Sequence, residues 1–233
     1  MLQNKGFFIT GTDTGVGKTR IAVALTRAFV ARGLRTAVMK PVAAGSMETP
    51  AGPRNDDALE LLGASNVPAA YEDVNPWLLA TPASPHLAAR VAGVSIGHEA
   101  ILAASRRLTE RSDVLIVEGA GGWLAPISAT ATMADVAERL ALPVILVVGM
   151  RLGCLNHALA TALAVQRRGL VLAGWVANAL PPPMALLTQN VEALAERLGS
   201  RPLALVAAGE CSAFDTHALA MLGFAGRSAR VPC

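Results

Sequence analysis

The densest chemistry in the chain lies in Gly11-Thr12-Asp13-Thr14-Gly15-Val16-Gly17-Lys18-Thr19. Glycines at 15 and 17 let successive backbone N–H groups turn inward around an anion. A helical pattern opening at Lys18 adds the positive end of its dipole. Lys18 supplies a point charge for β- and γ-phosphates, and the Thr19 hydroxyl suits a hard cation. The usual phosphate-loop spacing puts a glycine at position 12, whereas here Thr12 stands there and Gly11 comes one residue early. A strand-like run before the loop and a helix after it favour a nucleotide site over a structural turn. Glu118 closes the apolar run Val114–Val117 and precedes Gly119-Ala120-Gly121-Gly122, so it can complete a cation site or simply reach water. Asn55-Asp56-Asp57 offers a second carboxylate, but it reads equally well as a helix cap, and its spacing does not separate Asp56 from Asp57. Lys40, just before Pro41, faces either a ligand or solvent. Gly153-Cys154-Leu155-Asn156 precedes a helical pattern near His157, with Asn156 as its expected cap; this is an anion site or an ordinary helix start. Asn178 ends a strand-like run, where a buried turn asparagine is the competing role.

These residues need a frame. Strands are expected at Gly6–Thr10, Thr36–Lys40, Asp113–Val117, Val144–Val148 and Leu172–Ala177, with a weaker one at Leu203–Val206. Helices are expected at Lys18–Arg32, Asp56–Leu62, Pro85–Val91, His98–Glu110, Met133–Leu140, Asn156–Arg168 and Met184–Leu198. Runs such as Val114-Leu115-Ile116-Val117 are continuously apolar, as in strands buried on both faces. The alternation predicts an α/β fold: a single domain over residues 1–233, with a mostly parallel, doubly wound sheet and helices on both faces. Such sheets bind ligands at the carboxyl ends of their strands, and nearly every cluster named above follows a strand. The stretches Val42–Arg54, Pro68–Ser84 and the tail after Gly209 read as irregular.

Of the 233 residues, 53% are hydrophobic and 16% charged, which excludes a disordered chain. A net charge of +3, with arginines spread along the chain, gives no basis for nucleic acid or a polybasic membrane patch as partners. The richest apolar run, Leu140–Met150, is too short to span a bilayer and contains Pro143. Met1–Lys5 carries no secretory pattern, so a cytoplasmic location is expected. The three cysteines lie far apart without a CxxC, which supports neither a disulfide framework nor a zinc site. The four histidines show no ligand spacing, no base is placed to activate Cys154, and Trp123 and Trp175 read as packing residues.

Gly11–Thr19 resembles the phosphate loop of the dethiobiotin synthetases, ATP-dependent enzymes of biotin synthesis. Further segments match that family in order: Lys40-Pro41-Val42, Arg54-Asn55-Asp56-Asp57-Ala58, Val117 to Trp123, Gly153-Cys154-Leu155-Asn156-His157 and Gly174-Trp175-Val176-Ala177-Asn178. The resemblance covers residues 6 to about 178 and implies a P-loop NTPase-like fold. It implies Mg²⁺ held by Thr19, Asp57 and Glu118. ATP would be bound by Thr14, Gly15, Val16, Gly17, Lys18, Thr19, Asp57, Glu118, Gly119, Ala120 and Gly121, with Asn178 on the adenine. Lys40 and Lys18 become the catalytic lysines. The substrate, 7,8-diaminononanoate, falls to Thr12, Lys40, Ala44 and, from across a homodimer interface, Gly153, Cys154, Leu155 and Asn156. With CO₂ it would form a carbamate, then a mixed carbamic–phosphoric anhydride, then a cyclic urea. Gly15 stands where relatives often carry Glu, and Ala44 where some place a serine. A Pro-Trp-like adenine segment is not found after Leu203, where Val206-Ala207-Ala208 stands. Two rivals share the scaffold. Partitioning ATPases carry an extra lysine where this chain has Asp13, and glutamine-using amide ligases need an ammonia source that nothing here supplies.

Overall fold

The computed structural model describes residues 6–208 and 214–224. Its first half runs β1 (Gly6–Gly11), α1 (Lys18–Val30), β2 (Thr36–Met39), β3 (Val42–Ala44), β4 (Met47–Thr49), β5 (Gly52–Arg54), α2 (Asp56–Ala64), α3 (Tyr71–Val74), β6 (Trp77–Leu79), α4 (Pro85–Val91) and α5 (His98–Arg111). The second half runs β7 (Val114–Glu118), α6 (Met133–Leu140), β8 (Val144–Met150), α7 (Cys154–Arg167), β9 (Leu172–Ala179), α8 (Leu187–Leu198), β10 (Ala204–Val206) and α9 (Thr216–Met221). Six strands form one sheet in the order β10-β9-β8-β1-β7-β2. All its pairings are parallel, as the continuous apolar runs require.

Period-two alternation divides the sheet's side chains between two helical layers. Phe7, Ile9, Val114, Ile116, Ile145 and Val147 pack with α1, α2 and α9. Phe8, Leu115 and Val117 face α5 and α6, while Leu146 and Val148 face α7 and α8. β1 is central, flanked by β7 and β8. The loop after it therefore opens at the carboxyl edge, between Glu118 on one side and Gly149 on the other.

The structure departs from the sequence expectations in three places. The stretches expected to be irregular contain β3 paired in parallel with β6, a β4–β5 hairpin and α3. Elements of three or four residues are too short to show a period. In the tail, α9 buries Ala218 and Leu219; residues 209–213 and 225–233, with Cys211 and Cys233, lie outside the described residues, as does Met1–Lys5. Finally, α7 starts at Cys154, with Gly153 at its N-cap in a left-handed conformation (φ 93°) and no side-chain cap. Asn156 is therefore inside the first turn and does not cap the helix. No helix among the described residues is long and apolar enough to cross a membrane.

Candidate active site

A cavity of about 690 Å³ opens at the carboxyl edge of β1, β2 and β7. Thr14, Gly15, Gly17, Lys18 and Thr19 form its phosphate-loop wall, Lys40, Asp57 and Glu118 its charged corner, and Ala120 and Gly121 the side after β7. Ala44 lies on the opposite wall with Val42 and Ala43, beside Pro82 to Pro85 and Ala125. Val16 is fully buried behind the loop, and Gly119 packs on the Phe8 ring. Thr12 is turned toward β8, where its hydroxyl accepts from the Gly149 N–H at 3.3 Å.

Gly15 and Gly17 hold φ values of 73° and 88°, left-handed values that favour glycine. Gly17 has a second reason. A Cβ there would stand 2.3 Å from Asn178 Nδ2, which donates to the Val16 carbonyl at 2.7 Å. Asn178 thus braces the loop from beneath, and its Oδ1 is buried without a hydrogen-bond partner among the described residues.

At the charged corner, Pro41 follows the end of β2, and Lys40 leaves the sheet to donate its N–H to the Val74 carbonyl at 2.7 Å. Its side chain is 5% exposed, and Nζ reaches Glu118 Oε1 at 2.7 Å and Asp57 Oδ2 at 2.6 Å. The Thr19 hydroxyl donates to the same Glu118 oxygen at 2.9 Å. Burial alone would drive Lys40 toward neutrality, but Glu118 and Asp57 reverse this and hold its pKa above the ordinary lysine value. Burial pushes the Glu118 carboxyl up, against the pull of Lys40. Burial also works to raise Asp57, yet the Lys40 charge and hydrogen bond win and leave it low. Lys18 Nζ rests on the Asp13 carbonyl at 3.0 Å; burial, reinforced by the nearby charge of Lys40, lowers its pKa to about 8.

Asn55 settles what spacing left open between Asp56 and Asp57. It is the N-cap of α2, its Oδ1 accepting from the Ala58 N–H at 3.3 Å, so neither aspartate caps. Asp56 points to solvent and Asp57 into the cavity. Two carboxylates and a hydroxyl meet around Lys40, and Glu118 Oε2 is buried without a hydrogen-bond partner among the described residues. These hard oxygen donors suit Mg²⁺, the rest of its shell coming from phosphate and water.

Gly153, Cys154, Leu155 and Asn156 do not join the cavity of their own chain. Cys154 is buried, whereas Gly153 and Asn156 are exposed and Leu152 beside them is 94% exposed. Trp123 and Trp175 are buried in packing, Trp123 edge-on to Phe8. Sequence reading missed Asn55, Ser84 and the proline-rich wall at 82–85; apart from the Asx-type position before the two aspartates, no local pattern marks them.

A family model described as an AAA domain matches residues 5–208. The ATP-dependent dethiobiotin synthetase BioD of Pseudomonas aeruginosa is 51% identical over 193 residues, covering 82% of this chain and 85% of the relative. The protein of the same name from Xanthomonas oryzae is 48% identical over 84% of this chain and 88% of the relative. The one from Cellvibrio japonicus is 46% identical over 88% and 90%. The chain belongs to the dethiobiotin synthetase family. Dethiobiotin synthetases are ATP-dependent ligases of biotin synthesis, and the charged corner has to be read in that light. The chain also shares its fold with distant solved structures. The septum site-determining protein MinD with Mg-ADP from Pyrococcus horikoshii superimposes with a TM-score of 0.52 at 16% identity, covering 88% of this chain and 82% of that one. The MinC:MinD complex of Aquifex aeolicus gives 0.53 at 14% identity, with 94% and 85% covered.

Proposed function

We propose that this chain closes the ureido ring of dethiobiotin, from 7,8-diaminononanoate, CO₂ and ATP, releasing ADP and phosphate. The observation carrying this reading is the buried Lys40 ammonium, held between Glu118 and Asp57 on the cavity wall that also bears the phosphate loop. A carbamate oxygen attacking a γ-phosphate builds negative charge between two anions, and a preorganised buried cation stabilises that charge most effectively. Lys18 and the loop amides of residues 14–19 hold the phosphates, and their positioning replaces covalent catalysis. Bound Mg²⁺ would supply charge neutralisation across the phosphates, with Thr19, Asp57 and Glu118 as its protein oxygens. The family resemblance gives Asn178 to the adenine; in this chain it lies buried beneath the phosphate loop, where its amide braces the Val16 carbonyl and so holds the loop for the nucleotide.

Gly153 and Asn156 stay exposed on their own chain, with Cys154 buried between them, which supports a homodimer whose partner copy receives this turn at the substrate carboxylate. The backbone N–H groups of Leu155 and Asn156 in the first turn of α7 are the anion donors there, the Cys154 N–H being donated to the Arg151 carbonyl. The test is phosphate release from Mg-ATP and bicarbonate, with and without 7,8-diaminononanoate. Release requiring both diamine and bicarbonate, with a cyclic urea formed, is expected, and Lys18→Ala abolishes it. Steady hydrolysis indifferent to the diamine would overturn the ligase reading in favour of a switch ATPase.

A further inference from the structure

Lys40 and Asp57 come from different elements, yet the 2.6 Å contact between them requires both to be fixed. Asp57 sits in the first turn of α2 with its side chain 43% exposed, so packing alone does not hold it. A short segment outside the cavity wall grips both partners. On the Lys40 side, its N–H donates to the Val74 carbonyl and its carbonyl accepts from Asn75 Nδ2, both at 2.7 Å. On the Asp57 side, the N-cap Asn55 donates its backbone N–H to the Tyr71 hydroxyl at 2.8 Å and its side-chain amide to the Gly45 carbonyl at 2.8 Å. One atom joins the halves: the Tyr71 hydroxyl accepts from Asn55 and donates to Asn75 Oδ1 at 3.3 Å. Asn75 is 3% exposed, and the Tyr71 ring is covered by the Arg54 guanidinium at 4.2 Å from its centroid. The Asn75 end of the bridge is therefore buried, and the Tyr71 end is partly so.

We infer that Tyr71 and Asn75 are positioning residues, which set Lys40 and the Asp57-bearing end of α2 in register through the Tyr71 hydroxyl. The inference rests on the reading of Lys40 and Asp57 as the groups that meet the transferring phosphate and its cation. Tyr71→Phe is the incisive change, since it removes one oxygen and keeps the ring beneath Arg54.

Tyr71→Phe is expected to lower kcat about tenfold, with the ATP KM within about twofold. It is expected to raise the Mg²⁺ concentration for half-maximal ADP binding about threefold or more, by calorimetry. Rates are counted per ADP-binding site, so a folding defect does not imitate the effect. In an Asp57→Asn background, Tyr71→Phe should change the Mg²⁺ midpoint less than about twofold, because its path ends at Asp57. An unchanged Mg²⁺ midpoint and kcat, or equal effects in both backgrounds, would overturn the inference. The ADP measurement needs no diamine, so it stands apart from failure of the ligase reading, which shows as diamine-independent phosphate release.

Discussion

At the residue scale, Lys40 governs the site because it is one buried cation between two carboxylates, one buried and one half-exposed. Lys40→Met leaves Glu118 buried and uncompensated, so stability should fall by about 3–5 kcal/mol in urea titration. The double variant Lys40→Met/Glu118→Gln should recover a large part of that loss. Additive losses would show that the pair is not coupled. Turnover should be lost in both. Gly17→Ala imposes a left-handed alanine and drives a methyl toward Asn178 Nδ2. Strain of this size should weaken ADP binding roughly 10- to 100-fold. An ADP affinity like that of the unsubstituted protein would show that the loop adapts. The residue types at this corner were legible in the sequence. That Glu118 is 1% exposed and Asp57 half-buried was not, because burial depends on which elements close over each carboxylate.

At the element scale, α6 opens with a capping box in which Asp135 Oδ2 accepts from the Thr132 N–H at 2.6 Å. Arg168, at the end of α7, donates to Asp135 Oδ1 at 2.8 Å and so fastens the two helices together. Partial burial works against the Asp135 charge, but Arg168 and Thr132 outweigh it and lower the pKa to about 2. A carboxylate lowered from 3.8 stabilises the fold above pH 3.8 and loses that contribution as pH falls toward about 2. Allowing for solvent screening, the contribution is about 1–2 kcal/mol. Asp135→Asn should therefore flatten the acid limb of a Tm-against-pH curve while lowering the plateau. An unaltered acid limb would refute the linkage. The large elements were readable from apolar periodicity, and the expected α2 and α4 boundaries hold within two residues. The α7 start was misplaced by two residues, because Asn156 invites a capping role that Gly153 fills with backbone geometry alone.

At the scale of the whole molecule, the proposed shared site can be tested by mixing two defective chains. Lys18→Ala spoils the phosphate loop, and Asn156→Asp sets a carboxylate against the expected substrate carboxylate. Co-refolded in equal amounts, half of the dimers are mixed, and each mixed dimer has one intact site. About a quarter of full activity should return. No recovery would place Gly153–Asn156 outside the partner's site.

The sequence alone determined that a phosphate loop follows a strand-like apolar run and that Lys40 and Glu118 each stand at a strand end. Local patterns suffice there, since glycine spacing and apolar runs act over a few residues. Only the tertiary structure decided that Asp57 rather than Asp56 meets Lys40 and that Asn178 braces the loop. It alone brought Tyr71 into line with Asn55 and Asn75. Apart from Tyr71 and Asn75, which are four positions apart, those contacts join residues 16 to 162 positions apart, and no local propensity encodes them.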